Sequence, residues 1–406
     1  MQHKAVKLAT IRVANGPGGT LTAGETNVGL RIGKPKLIGR LVCYGLCGAA
    51  ATLLPMRQAM GGSILPTGFL DVSTLASNGD QNPYGVAFVP NGFPSGGKLN
   101  PGDILVSNFN NATTSTGGNT QGTGTTITKV APDGETSTFF QGTFAPPTDG
   151  GLTTALGVLQ RGFVVVGQLP NSNGTPEPGS LLFLDKNGQL VLKYTNAKVN
   201  GPWDLAIDDH FDHASIFVSN VLSGTVVRLD VSVGPSNVTV PNPTKIAQGY
   251  AFGPNAAAFV VGPTGLAFDA QTDVLYVAST FDNQIFKIQN AETANNPVKK
   301  GILVYDDPVH LHGPLALALT PSGTLLTSNG DAINVMPPPL PPNQLPSEIV
   351  EFTNDGHFIG QLSIDSVSGA AFGIAIVPGV GVNTARIALV NDDDNTIIVQ
   401  TVNASE

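Results

Sequence analysis

Residues 262–288 read GPTGLAFDAQTDVLYVASTFDNQIFKI. Three short runs stand out, GPTGLAFD, VLYVAS and NQIFKI, each rich in β-branched or aromatic side chains and separated from the next by polar turn residues. Runs of this length between turn signals are strands, because a helix needs a longer stretch with apolar residues spaced by three and four.

Working outward, the same three-part pattern recurs. The opening strand reads NPYGVAFV from Asn82, TALGVLQ from Thr154, GPWDLAID from Gly201, GPTGLAFD from Gly262, GPLALALT from Gly313 and AAFGIAI from Ala370. Aligning Gly85, Gly157, Asp204, Gly265, Ala316 and Gly373 gives spacings of 72, 47, 61, 51 and 57 residues, room for four strands per unit. Second strands follow as DILVSN from Asp103, FVVVGQ from Phe163, SIFVSN from Ser215, VLYVAS from Val274, TLLTSN from Thr324 and RIALVN from Arg386. Third strands begin at Gly124, Gly179, Gly224, Asn283, Ser347 and Asn395, and three of them run into the hairpin signals Asp133-Gly134, Asn187-Gly188 and Asp355-Gly356. The last unit stops after its third strand, while an unassigned strand, GFLDVSTL from Gly68, precedes the first unit. Internal repeats of this kind predict an all-β, six-bladed β-propeller of four-stranded antiparallel blades, its ring closed by an N-terminal strand completing the last blade. The 49 glycines and 31 prolines suit such a chain of tight turns.

The motifs NPYGVAFV, GPWDLAID, GPTGLAFD and LYVASTFDNQIFKI resemble NHL repeats, and more distantly the propellers of the gluconolactonase and lyase superfamily. The resemblance covers about Gly68 to Thr401 as architecture. Asn or Ser replaces the usual Asp after the second strand, and Arg is scarce in the third, so the resemblance speaks to fold more than to function.

Residues 1–60 differ in character. They hold 8 of the 20 Lys and Arg but one of the 29 acids, Glu25. Lys34, Lys36 and Arg40 precede the apolar run LVCYGLCGAAATLLP from Leu41, so residues 34–59 read as a signal-peptide-like segment, and residues 61–406 as a single propeller. The expected location is periplasmic or secreted, without stable membrane insertion after cleavage. Both cysteines, Cys43 and Cys47, fall in the apolar run, so no disulfide or thiolate chemistry is expected of the remainder. Cleavage would leave 12 basic and 28 acidic residues and move the net charge from −9 to −16. That charge repels phosphate backbones and excludes nucleic acid as a partner; a monomer binding a protein, a glycan or a small molecule is expected instead.

Strands alternate in direction, so the starts of first strands and the ends of second strands share one face of a propeller. That face is the predicted site. Asn108, Gln168, Asn220, Ser279, Asn329 and Asn391 each end a second strand on it. Their polar groups would line a funnel, as ligand-binding residues or as oxygen donors to a hard cation, or would serve only as turn residues. Trp203 offers a stacking wall for a ring-shaped ligand, or core packing. His310 and His312, in DDPVHLHGP, would point to one side of an extended segment, with His312 over the channel mouth. The candidate metal ligands are His310, His312, Asn220, Asn329 and Asp331, with Ca²⁺ or another divalent cation as the possible cofactor; His312 and Asp331 are the candidate catalytic pair. The run Asp392-Asp393-Asp394 lies on the same face. No nucleophile elbow, phosphate loop, HExxH motif or dinucleotide fingerprint occurs. Two readings follow: a binding or scaffold propeller of the cell envelope, acting through its polar, acidic channel face, or a divalent-metal-dependent hydrolase or lyase resembling the lactonases. The second lacks the early-blade glutamate that the gluconolactonase pattern would supply.

Overall fold

A computed structural model describes residues 62–68, 70–113, 120–143, 150–256, 258–333 and 345–404. The leader and its cleavage region lie outside these residues, as do most of the proline-rich arm from Met336 and part of the insertion after Asn108.

The described residues form strands and turns with no helix, and six antiparallel sheets build a six-bladed propeller. From the axis outward, blade 1 consists of Gln81–Phe88, Ile104–Asn110, Thr126–Val130 and Thr136–Gln141. Blade 2 has Leu152–Leu159, Phe163–Gln168, Ser180–Asp185 and Leu190–Tyr194; blade 3 has Pro202–Asp209, His213–Asn220, Thr225–Val233 and Thr244–Gln248. Blade 4 has Pro263–Asp269, Val274–Ser279, Gln284–Gln289 and Ile302–Tyr305; blade 5 has Pro314–Leu319, Leu325–Asn329, Glu348–Phe352 and Phe358–Ser363. Blade 6 has Ala371–Pro378, Thr384–Asn391 and Thr396–Asn403, and its outermost strand is Asp71–Ser73, with Asp71 opposite Ile398 and Ser73 opposite Thr396.

Local chemistry accounts for the hairpins. Asp133-Gly134, Asn187-Gly188 and Asp355-Gly356 each sit in a three-residue loop whose glycine has positive φ, closed by bonds such as Ala131 N–H to the Glu135 carbonyl at 2.8 Å. The residue before the third strand is also left-handed in blades 2 to 6, at Gly179, Gly224, Asn283, Ser347 and Asn395. A Cβ on Gly224 would stand 2.3 Å from the Tyr250 carbonyl oxygen, so that turn needs glycine for space as well as for φ.

Side chains of facing sheets interdigitate in buried apolar clusters between neighbouring blades; Leu156, Val166 and Leu182 of blade 2, for example, pack on Leu105, Ile127 and Phe139 of blade 1. Each inner strand also carries a bulge at the same point. Pairing jumps from Pro83 to Val86, Leu152 to Leu156, Pro202 to Leu205, Pro263 to Leu266, Pro314 to Leu317 and Ala371 to Ile374. This register corrects one equivalence: in blade 2 the counterpart of Gly85 is Ala155, not Gly157. The bulge of blade 2 holds an extra residue, and Gly167 makes room for it, since a Cβ there would lie 2.4 Å from Thr153 Oγ1.

Candidate functional site

The bulges bring all six blades to the axis. One of the bulged residues is aromatic in three blades, and Tyr84, Trp203 and Phe372 meet there: Tyr84 stacks on Phe372 at 4.2 Å and on Phe109 at 4.3 Å, with Trp203 5.7 Å from Tyr84. Phe259 adds a further ring 6.1 Å from Phe109. These rings close the axis on the face where the inner strands begin. The expected polar funnel is therefore absent from that face: apolar side chains fill its centre, and Trp203 is fully buried within them. Beneath the plug lies a cavity of about 90 Å³, lined by Val86, Leu156, Asp204, Leu266, Leu317 and Ile374 among others, with residues from every blade. Exposure increases beyond it along the inner strands of blades 3 to 6, for example from buried Leu205 to half-buried Ala206, Ile207 and Asp208, so on that side the channel opens toward the opposite face.

Asp204 supplies the one ionisable side chain in that cavity lining. Its Oδ1 accepts Leu205 N–H at 2.8 Å and its Oδ2 accepts Leu266 N–H at 3.0 Å, across the junction of blades 3 and 4. Burial pushes its pKa up to about 8, against the opposing pull of those two N–H groups.

The polar groups at the strand ends are taken up by backbone and neighbouring side chains. Asn220 Oδ1 accepts Asn200 N–H at 2.8 Å, Asn329 Oδ1 accepts His312 N–H at 3.1 Å, and Asn108 Nδ2 donates to the Thr74 carbonyl at 3.3 Å. Gln168 Oε1 accepts the Ser180 hydroxyl at 2.7 Å, Ser279 donates to Asp282, and Asn391 Nδ2 donates to Asp365 at 2.8 Å. All six are buried.

His310 and His312 part company. Residues 307–311 form a turn rather than an extended segment, closed by Leu311 N–H to the Asp307 carbonyl at 2.8 Å. His310 Nδ1 therefore pairs with Asp307 at 2.6 Å, and its ring stacks on Phe358. His312 turns inward instead of overlooking a channel mouth, and only 3% of it is exposed. There it meets Asp331 and Glu348, the latter in the third strand of the same blade. Asp331 is held by two N–H donors, Ser347 and Gly369, each 3.0 Å from Oδ2. Burial raises the Asp331 pKa and Glu348 adds to it; on His312 burial acts downward, but the surrounding carboxylates outweigh it and the imidazole is raised. Asn220, in blade 3, takes no part in this group, and Asn329 braces it with a contact of 3.5 Å to Glu348 Oε2. On the acidic run, Asp393 and Asp394 are exposed, while burial lifts Asp392 well above the carboxylate range.

Two elements escaped the sequence reading. Glu348 carries no motif, so only the blade-5 register reveals it. The aromatic plug was visible in principle, because Tyr84, Trp203 and Phe372 each directly precede an aligned repeat position.

No family model matches the chain, and no curated protein matches it either. Among solved structures, the chain is similar to a gluconolactonase from Xanthomonas campestris (14% identity over 81% of this chain and 88% of that one, TM-score 0.47). It is also similar to virginiamycin B lyase from Staphylococcus aureus (13%, 83% and 88%, 0.44) and to a calcium-binding regucalcin from Agrobacterium tumefaciens (12%, 83% and 96%, 0.46). At these values no residue role passes from them to this chain.

Proposed function

We propose that this chain is an exported, monomeric binding or scaffold propeller of the cell envelope, engaging its partner over its acidic outer face rather than in its axis. The carrying observation is the plug of Tyr84, Phe109, Trp203 and Phe372, which closes the axis on the face where loops converge. The cavity beneath it, about 90 Å³, is well short of the roughly 300–1,000 Å³ of a small-molecule site. A metal-dependent hydrolase or lyase working in the axis would need several donors converging on one ion there. Asp204 is the single acid lining the axial cavity, and both its oxygens already accept backbone N–H groups. The exposed carboxylates of Asp393 and Asp394, on a strongly acidic chain, favour a cationic partner.

The test sets the readings side by side. Full-length protein is titrated with an oligolysine peptide at two salt concentrations and, separately, assayed on a panel of lactones with Ca²⁺, Mn²⁺ or Zn²⁺. The binding reading expects salt-sensitive association that weakens in a D393N/D394N variant, with no turnover above the metal blank. Metal-dependent lactone hydrolysis that disappears in Asp204→Asn would overturn it.

A further inference from the structure

Four histidines pair with neighbouring aspartates at ordinary hydrogen-bond distance: His210 at 2.8 Å, His213 at 2.6 Å, His310 at 2.6 Å and His357 at 3.1 Å. His312 departs from them although it has two carboxylates to choose from. Its Nδ1 stands 3.4 Å from Glu348 Oε1 and 3.7 Å from Asp331 Oδ1, and the three donor atoms lie within 4.8 Å of one another. A protonated imidazole buried against two carboxylates should contract on one of them to about 2.7–2.9 Å. Ligands on a shared tetrahedral ion keep apart instead: bonds of about 2.0–2.1 Å place neighbouring donors roughly 3.4 Å from each other.

Charge points the same way. Glu348 is fully buried, and Asp331 and His312 are 6% and 3% exposed. Among the described residues the Lys and Arg ion pairs are Arg228–Asp230 and Lys300–Asp282, so neither buried acid has a basic partner. No ordinary hydrogen bond accounts for the burial of the ring: Nδ1 stands farther from its carboxylates than the other histidines do from theirs, and Nε2 is buried without a partner. The supports are in place. Asp331 Oδ2 is fixed by two N–H groups, leaving Oδ1 toward His312; Glu348 Oε1 accepts Leu345 N–H at 3.1 Å; Asn329 holds the His312 backbone.

We infer that His312 Nδ1, Asp331 and Glu348 form a buried site for a divalent transition metal of the zinc type. It lies within blade 5, where it ties the lead-in to the inner strand, the turn after the second strand and the start of the third. One nitrogen and two carboxylates suit zinc better than Ca²⁺, which takes six to eight oxygens. All three ligands are buried, so an ion here would brace blade 5 from within, its fourth position left to a water or to a second carboxylate oxygen. This site is independent of the surface-binding reading.

The experiment uses full-length protein stripped with a chelator and returned to chelator-free buffer, then titrated calorimetrically with Zn²⁺ and followed by thermal unfolding. One ion per chain and a higher Tm are expected. Glu348→Gln should weaken affinity at least about tenfold, in line with the loss of a ligand-shell carboxylate, while His310→Ala stays within about threefold. Folded wild-type protein that takes up no stoichiometric Zn²⁺ overturns the site. So does unchanged affinity in a folded Glu348→Gln, or loss in Asp208→Asn instead, which would move the ion to the Asp208, His210 and Glu292 group. If Glu348→Gln does not fold, X-ray absorption on zinc-loaded Asp208→Asn decides: an imidazole retained in the shell supports the assignment, and an oxygen-only shell refutes it.

Discussion

Replacing Asp204 by Asn isolates the charge at the axis. The carboxyl group is 9% exposed, and burial raises its pKa from 3.8 to about 8. An acid whose pKa is higher in the folded state binds more protons there than in the unfolded chain. Its contribution is therefore fully present below the unfolded pKa and drains away as pH rises toward 8. With one pKa unit worth 1.36 kcal/mol, the loss is about 4 kcal/mol between pH 5 and pH 9, most of it below pH 8. Asparagine keeps the shape and cannot ionise. It sacrifices one of the two accepted bonds, from Leu205 N–H or Leu266 N–H, at a pH-independent cost of about 1–3 kcal/mol. Asp204→Asn should thus be less stable than wild type at pH 5 and equal to it or more stable at pH 9, with the curves crossing between. Urea unfolding of both proteins at unit pH steps measures the difference, and other titrating groups cancel in it because they are common to both. Parallel pH profiles for the two proteins would refute a buried, strongly shifted Asp204.

Two further outcomes test the axis. Trp203 is the sole tryptophan and fully buried in the plug, so acrylamide should leave its emission unquenched until the chain unfolds, and Trp203→Ala should cost about 3–5 kcal/mol in denaturant unfolding. Quenching of the native protein would show an open axis. At the junction of blades 4 and 5, a Cβ on Gly265 would stand 2.4 Å from the Ala316 carbonyl carbon, so Gly265→Ala should destabilise by about 1–3 kcal/mol or more, through steric overlap. Gly323→Ala supplies the contrast: it has positive φ but no atom within 4 Å of the new methyl, so its loss should stay near the roughly 1–2 kcal/mol of left-handed strain, measured as the shift in unfolding midpoint.

The blades were legible because strand and turn chemistry is local. Runs such as VLYVAS and SIFVSN declare themselves within a few residues, and the glycines of Asp133-Gly134 and Asp355-Gly356 adopt the positive φ that their turns require. The alternation of strand direction held; what failed was the inference of where individual side chains point. His310 and His312 look like a pair in sequence, yet the turn over residues 307–311 sends one ring onto Phe358 and the other into the blade. Glu348 was invisible for a related reason: it stands in the third strand of blade 5, and only sheet register brings it to His312. Even the repeat alignment slipped in blade 2, where an extra bulged residue moves the equivalent position from Gly157 to Ala155.

The bulges also explain why the ring of polar strand ends was misread. A bulge takes backbone groups out of the ladder, and on a buried axis each must find another partner. In blades 1, 3 and 5 the second strand carries Ser-Asn at or near its end, and the serine meets this need. Ser107 accepts Gly85 N–H at 2.9 Å and donates to the Thr153 carbonyl of blade 2 at 2.7 Å. Ser219 accepts Asp204 N–H at 3.0 Å and donates to the Thr264 carbonyl of blade 4 at 2.6 Å, while Ser328 accepts Ala316 N–H and donates to the Phe372 carbonyl of blade 6. Where the second strand has Gly167 or Ala278 in place of that serine, threonine carries the link: Thr154 donates to the Trp203 carbonyl, and Thr280 to the Pro314 carbonyl at 2.6 Å. The asparagine of each Ser-Asn pair then fastens neighbouring backbone or a lead-in. Polar residues that recur near these strand ends are therefore first structural, and a ligand role has to be argued from a residue that breaks the pattern. Asp204 breaks it on the axis, standing where three other blades have glycine, and Glu348 with His312 breaks it in blade 5.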